Sequence, residues 1–482
     1  MLPNVQLTKT DGNTGVVRPG ADGICAIIAP AISGTQNQAA AFGKSKALVT
    51  EFGGGLLPEN AAWMMQFTQR PVVCVRSAAS VAAVLGTVVH SGAGTSVVTA
   101  TGTPIDDYQI IFKVIAGGTV GTAGITYQYS LDGGVNYTAT LALGTANTLL
   151  LKLPTGLSTG VTLNFAAGTM LAAQTESLPA TAARMNNADL VAALEALRLS
   201  SQRFEHVHVV GPLDGTMFDT LAAWRLARDA EGRYYTTSGN TRARNSGETE
   251  AAFKTAIDTI FSAKADTGGL VGADVFDGSS PITGVVHVRD SMLATVTRGM
   301  SIARGVDCAQ VSLGPLSGVN IKDDRGNPKW HDEAIYPGLD DSRFTVMRSF
   351  DQLPGTYVTN PLLFSSPGSD YVYWQHMRTM NRACEIAKEL LTQKLSSGIR
   401  KDENNHIVEV DAQEIDDLVS SVIRSELDGQ ITDGGFVLSR TDDLGSNGPA
   451  TLNGDVWIKS LAYAKKFNIE AKFVRTIPAS AA

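Results

Sequence analysis

VSLGPLSGVNIKDDRGNP (residues 311–328) opens the run that decides how this chain is read. It continues through YPGLDDSRFTVMRSF (336–350) and TYVTNPLLFS (356–365) to SDYVYWQHMRTMNRACEIAKELLTQKL (369–395). In Arg343–Phe350 the apolar Phe344, Val346 and Phe350 alternate with Arg343, Thr345 and Arg348, which predicts a half-buried strand. Ser369 and Asp370 offer an N-cap for the long helix that follows, and Val372, Met380, Ile386 and Leu390 supply an approximate apolar stripe. The run reads as architecture: it contains structural elements in a definite order and no grouping of nucleophiles or metal ligands.

Composition bounds what the rest can be. The chain has 482 residues, enough for two to four domains. It is 43% hydrophobic, only 18% charged and rich in glycine, as expected of a folded protein with many loops and strands. No run reaches the ~18 apolar residues of a membrane span, and the first residues lack the basic-then-apolar pattern of a signal peptide. A net charge of −8 argues against a general nucleic-acid binder. Cys25, Cys74, Cys308 and Cys384 are too scattered for a zinc or redox motif, so buried free thiols of a reducing compartment are expected.

Working outward, charge almost disappears between Ser77 and Ala183, where only Asp106, Asp107, Lys113, Asp132, Lys152 and Glu176 are ionisable in the ordinary range of acids and bases other than histidine. That segment holds strand-like runs such as TSVVTAT (95–101), YQIIFKVI (108–115), ITYQYSL (125–131) and TLLLKL (148–153), bounded by turn residues. On either side, strands alternate with helices: ICAIIAPAI (24–32) and PVVCVR (71–76) before it, then NADLVAALEALRLSS (187–201), HVHVVGPL (206–213), MFDTLAAWRLARDA (217–230), EAAFKTAIDTIFSAK (250–264) and VVHVRD (285–290). Phe253, Ile257, Ile260 and Lys264 are expected on one helix face. The reading is an α+β or α/β multidomain protein with a β-rich domain inserted at 86–180. That domain is expected on the outer surface, and its removal is expected to leave the core able to assemble.

Motifs that suggest catalysis are weak. Gly43-Lys44-Ser45 lacks the earlier glycine of a phosphate loop; Gln38 stands there, and the alanine run 39–41 favours helix. His206 and His208 share one face of a strand and suggest a metal-dependent hydrolase, with His287 and Asp290 on a later strand, but a third ligand is not evident. Structural histidines are the expected outcome. Ser130-Leu-Asp132-Gly-Gly134-Val-Asn136-Tyr137 approximates an Asp-box and predicts a hairpin turn. No catalytic, cofactor-binding or metal residue is assigned.

The order of elements in the opening run (GPLSG, PGL, a short Arg-bearing strand, a G-x-x-VTN turn and an S-D-Y helix) resembles the core of contractile phage tail sheath proteins. GICAIIAPA (23–31), the Phe52-Gly53 pair and PVVCVRSA (71–78) are similar to the family's first strands. The likeness covers roughly 20–85 and 200–480. It implies an N-terminal arm (1–22), a discontinuous sheath-like core (23–85 and 181–452) and a C-terminal unit (453–482). It also implies a structural, non-enzymatic protein of the virion, assembled in the host cytoplasm. Hexameric rings would stack as a helical sheath around the tail tube and contract to drive the tube through the host envelope. The implied partners are further copies of the chain, the tube protein, and baseplate and terminator proteins, with no nucleic acid and no membrane insertion. A terminator or baseplate component is the alternative within the same particle.

Two terminal features follow from that resemblance. A helix is expected at Val456–Phe467, capped by Asp455, with Trp457, Leu461 and Ala464 inward and Lys459, Tyr463 and Lys466 facing the tube. Strands exchanged between subunits are expected at both ends. Val5 and Leu7 carry the first, and Ile469, Ala471, Phe473, Val474 and Ile477 the second.

Overall fold

Alternate side chains of the strand Cys25–Ala29 leave the backbone on opposite sides, and both sides are apolar. Cys25, Ile27 and Ala29 pack in one core with Leu57, Trp63, Met292, Val296 and Trp374. Ala26 and Ile28 pack in a second, with Leu190, Leu194, Phe218, Leu221 and Ile257. A strand buried on both faces belongs at the centre of an α/β layer structure. The computed structural model, which describes residues 22–245, 247–321, 338–350, 352–366, 368–445 and 451–465, has that arrangement.

The central sheet runs Gly269–Gly272, Thr236–Asn240, His206–Pro212, Cys25–Ala29, Val72–Arg76 and Ala39–Phe42. All neighbours are parallel except the last pair. One face carries the helices Leu56–Thr68 and Ser291–Ser301, the other Asn187–Leu199, Gly215–Ala230 and Glu250–Phe261. The alanine run expected to be helical is instead the edge strand Ala39–Phe42, antiparallel to Val72–Arg76, because backbone pairing with that strand outweighs local helix propensity.

Between Val84 and Thr181 lie only strands. Leu141–Ala142, Thr126–Ser130, Tyr108–Ala116, Thr175–Thr181 and Val84–Leu85 make one sheet; Thr148–Lys152, Ser158–Phe165 and Val98–Gly102 make another. Both contribute to a separate core that includes Phe112, Tyr127, Leu151, Leu163 and Phe165. A fourth core joins the helices Trp374–Lys394 and Glu409–Glu426 to the antiparallel pair Ile431–Leu438 and Gly454–Ser460. The fold is thus α+β at the level of the whole chain.

The deciding run differs from expectation in detail. Residues 322–337 lie outside the described residues. Arg343 adopts a positive φ of 70°, and the regular strand starts at Met347. Phe344, Thr345, Val346 and Met347 are all buried, since Thr345 bridges Gly272 and places the segment between helices and sheet. The long helix begins at Trp374 with no side-chain cap from Ser369 or Asp370. Tyr373 bridges Leu362, and the Leu363 N–H donates to the Val372 carbonyl at 2.9 Å, which holds the chain extended up to the helix. On Glu250–Phe261 the inward residues are Phe253, Ile257 and Phe261, whereas Ile260 is exposed. The four cysteines are free thiols; Cys25, Cys74 and Cys308 are buried and Cys384 is half-buried.

Two buried charge networks join these parts. Glu205 precedes the strand His206–Pro212, accepts the Gly23 N–H at 2.9 Å and pairs with Arg378 at 2.5 Å and Arg304 at 3.4 Å. Burial raises its pKa, but the two guanidinium groups and the amide outweigh that and bring it down to about 2. At the base of the inserted sheets, Asp106 accepts two hydrogen bonds from Arg289, at 2.8 and 2.9 Å. Asp107 receives the Ala182 N–H at 2.9 Å and pairs with Arg184. Burial works against ionised Asp106, yet Arg289 and its other partners hold its carboxyl well below the usual range.

Unfolding releases Glu205 to its ordinary pKa of 4.5, so the unfolded chain takes up the proton first as the medium is acidified. Stability from this group is complete above about pH 4.5 and is expected to fall by about 3 kcal/mol as pH drops towards 2. Urea unfolding at stepped pH measures it, and Glu205→Gln should remove that part of the slope. Asp106→Ala in the intact chain leaves Arg289 buried without its counter-charge, with an expected loss of about 3–5 kcal/mol. Pairing it with Arg289→Met should recover part of that loss in the same assay. Excision of 86–180 would also uncover Val285 and take Asp106 from Arg289, so joining Leu85 to Thr181 should yield a less stable core, partly recovered when Val285 is made polar.

Candidate assembly interface

His206 opens the strand His206–Pro212 of the central sheet and His208 follows two residues on, on the face that also carries Val210. The His206 ring meets the Thr236 and Ser238 hydroxyls, each at 2.7 Å, and His208 Nδ1 lies 2.9 Å from the same Ser238 oxygen. Trp374 closes the group: its indole N–H donates to Thr236 Oγ1 at 3.1 Å and its ring meets His206 edge-on at 5.3 Å. Burial drives both pKa values down, that of His208 to about 3, so both rings are neutral at physiological pH. The hydroxyl partners account for three of the four ring nitrogens. His287, the later-strand candidate, is not brought to them; it packs against Tyr108, its Nδ1 3.1 Å from the Asp107 carbonyl. The pair therefore tightens the sheet–helix packing and does not form a hydrolase site.

Ser130, Asp132, Gly134 and Asn136 form the expected turn. Asp132 Oδ1 accepts the Asn136 N–H at 2.9 Å and Ser130 Oγ the Gly134 N–H at 2.8 Å. Lys44 follows the edge strand and stands, exposed, at the N-cap position of the helix Ser45–Phe52 with no side-chain cap bond.

The C-terminal expectation needs correction. Residues Gly454–Ser460 are a strand, not the first turns of a helix, and Leu461–Lys465 are irregular. The cause is a period of two: Val456 and Ile458 pack on the helix–hairpin core, while Asp455, Trp457 and Lys459 project outward. Register places Gly435 opposite Trp457 and Asp433 opposite Lys459. A Cβ on Gly435 would stand 3.1 Å from Trp457 Cζ2 and 2.9 Å from Ser420 Oγ, so glycine is what lets the indole lie across the hairpin. Lys459 stays exposed, beside the Arg424–Asp433 ion pair.

Tyr463, expected on the same outward stripe, turns inward. Its hydroxyl donates to the Gly305 carbonyl at 2.6 Å and its ring packs near His376 and Tyr373. Lys465 pairs with Asp307 and reaches Asn360 Oδ1 at 2.9 Å. These contacts tie the chain to the core before it passes on. Lys466 and the strand residues Ile469, Ala471, Phe473, Val474 and Ile477 lie outside the described residues, as do Val5 and Leu7.

Among the described residues, Ile431–Leu438 and Gly454–Ser460 pair only with each other; Ser420 and Asp416 of the helix Glu409–Glu426 accept the outward Phe436 and Leu438 N–H groups at 2.9 and 2.8 Å, whereas Gly454–Ser460 has no further strand partner. Sequence reasoning missed this hairpin and the Asp106–Arg289 pair. The first was visible as the alternation in DVWIKS (455–460); for the second, the adjacent aspartates in an almost uncharged segment marked one partner but not the other.

Among curated proteins none matches this chain. Of solved structures, a sheath tail protein of Listeria innocua is 14% identical with a TM-score of 0.46, the match covering 91% of this chain and 96% of that one. A sheath tail protein of Desulfitobacterium hafniense is 10% identical with a TM-score of 0.46, covering 95% and 100%. A chain of the anti-feeding prophage baseplate in its contracted state is 13% identical with a TM-score of 0.49, covering 98% of each. The family model described as DUF2586, N-terminal domain, matches residues 2–361, and on that extent of match the chain belongs to the DUF2586 family.

Proposed function

We propose that this chain is a structural protein of a contractile tail, polymerising as hexameric rings into a helical sheath around a tail tube. The observation that carries the reading is the hairpin Ile431–Leu438/Gly454–Ser460, whose second strand has no further strand partner among the described residues and leads toward a terminal segment with strand-like alternation. Open edges are templates for strands from another chain. The order of elements shared with sheath proteins in 311–395 supports the same reading.

In this scheme the segment Asn468–Ile477 of one subunit, and the N-terminal run around Val5 and Leu7, add to sheets of its neighbours. Inward anchoring by Tyr463 and Lys465 sets where the C-terminal arm departs. Lys459, and Lys466 beyond it, present positive charge to the tube. Contraction needs no catalytic group, because its free energy lies in two alternative sets of subunit contacts. The baseplate and terminator proteins are then end-partners, and the particle is a phage tail assembled in the host cytoplasm.

Truncation before Asn468 should give folded, soluble chains that do not polymerise, as judged by electron microscopy and sedimentation. Long sleeves from the truncated chain would defeat the strand-exchange scheme, and closed single rings from the full chain would favour a terminator or baseplate role. Replacing Lys459 and Lys466 with Glu should weaken docking on purified tubes most at low salt, where exposed charges are least screened. Undiminished co-sedimentation with tubes at low salt would remove the tube-facing role.

A further inference from the structure

Three elements far apart in sequence converge where the inserted sheets meet the core. Glu59 comes from the first turn of the helix Leu56–Thr68, Asp106 from the residues just before the strand Tyr108–Ala116, and His287 from the strand Val286–Asp290. All three are buried, with 5% exposure or less, and one donor atom of each lies within 4.8 Å of the others. Within the protein, Glu59 Oε2, His287 Nε2 and the Tyr108 hydroxyl have no hydrogen-bond partner. Buried polar atoms are nearly always satisfied, so three orphans in one place indicate something that completes them.

The chemistry of the surroundings says what kind of species that is. His287 Nδ1 faces the Asp107 carbonyl, which can only accept, so the neutral ring carries its proton there and keeps a lone pair on Nε2. Metal-binding histidines usually donate their other ring N–H to a carbonyl or carboxylate in this way. Four carboxyl groups (Glu59, Asp106, Asp107 and Asp290) share this region with two guanidinium groups, Arg184 and Arg289. Asp106 is occupied by Arg289, yet each carboxylate oxygen has a second lone pair to offer.

We propose that Glu59, Asp106 and His287 form a binding site for a divalent transition-metal ion of the zinc or manganese class, which fastens the inserted sheets to the core. One nitrogen and two oxygen donors suit such an ion, whereas calcium takes six to eight oxygens. Tetrahedral bonds of about 2.1 Å place donors about 3.4 Å apart, so the three side chains draw in by about 1 Å on binding. The ion would bridge three elements far apart in sequence, beside the Asp106–Arg289 pair.

The full chain, stripped with EDTA and titrated with Co2+ as an absorbing probe, tests this. One equivalent should bind with ligand-field bands of nitrogen and oxygen coordination and no thiolate charge-transfer band, and Zn2+ should displace it. Glu59→Gln keeps the shape of the side chain and should weaken Co2+ binding roughly a hundredfold; His287→Gln should do the same. Zn2+ and Mn2+ should raise the thermal midpoint of the wild type but not of Glu59→Gln. Equal affinity in wild type and Glu59→Gln, binding only through thiolates, or no binding at all would each overturn the proposal. If His287→Gln fails to fold, the Glu59→Gln comparison decides alone.

Discussion

Burial of the strand Cys25–Ala29 on both faces is the constraint from which the rest of the molecule follows. No water reaches either side, so every polar group placed beside this strand must find a partner inside the protein. His206 and His208 occupy the neighbouring strand and are matched to hydroxyls of the next one, Thr236 and Ser238, which Trp374 then covers. Glu205, paired with Arg304 and Arg378, closes the start of the same strands by accepting the Gly23 N–H. Cys25 and Cys74 fit because a thiol packs like a small apolar group, and burial pushes both thiols far from ionisation.

This explains which elements could be read from sequence. Continuous apolar runs such as ICAIIAPAI and VVCVR admit one reading when flanked by turns, and the structure places both in the central sheet. The helices 187–199, 215–230 and 250–261 announced themselves by apolar spacing, and Asn186, Asp214 and Thr249 cap them with side chains. The failures were of one physical kind. Ala39–Phe42 and Gly454–Ser460 have local sequences tolerant of helix, and each becomes a strand because a partner strand supplies the hydrogen bonds. Tyr463 was misplaced for the same reason, since its direction depends on the Gly305 carbonyl, which lies 158 residues earlier.

Charge networks were the least legible feature. Asp106 and Arg289 are 183 residues apart, and nothing in local pattern pairs them. Their pairing nonetheless determines how the inserted sheets are held, because the strand Val286–Asp290 supplies Arg289 and His287 on one side while Val285 enters the inserted core. The family match ends at residue 361, before the long helix and the hairpin, so the two ends of the chain answer to different tests.

The scarcity of charge in the inserted segment has a consequence for how any assembly of this chain meets its surroundings. Of its few ionisable side chains, Asp106 and Glu176 are buried, the latter beside His90, and Asp107 is taken up by Arg184. What remains for solvent is essentially Lys113, Asp132 and Lys152 on a surface of Thr, Gly, Ala and Val. Such a surface repels its like weakly and responds little to ionic strength. The chain's net charge of −8 is concentrated elsewhere, so colloidal repulsion between particles would be set by how much of the core the inserted sheets leave uncovered.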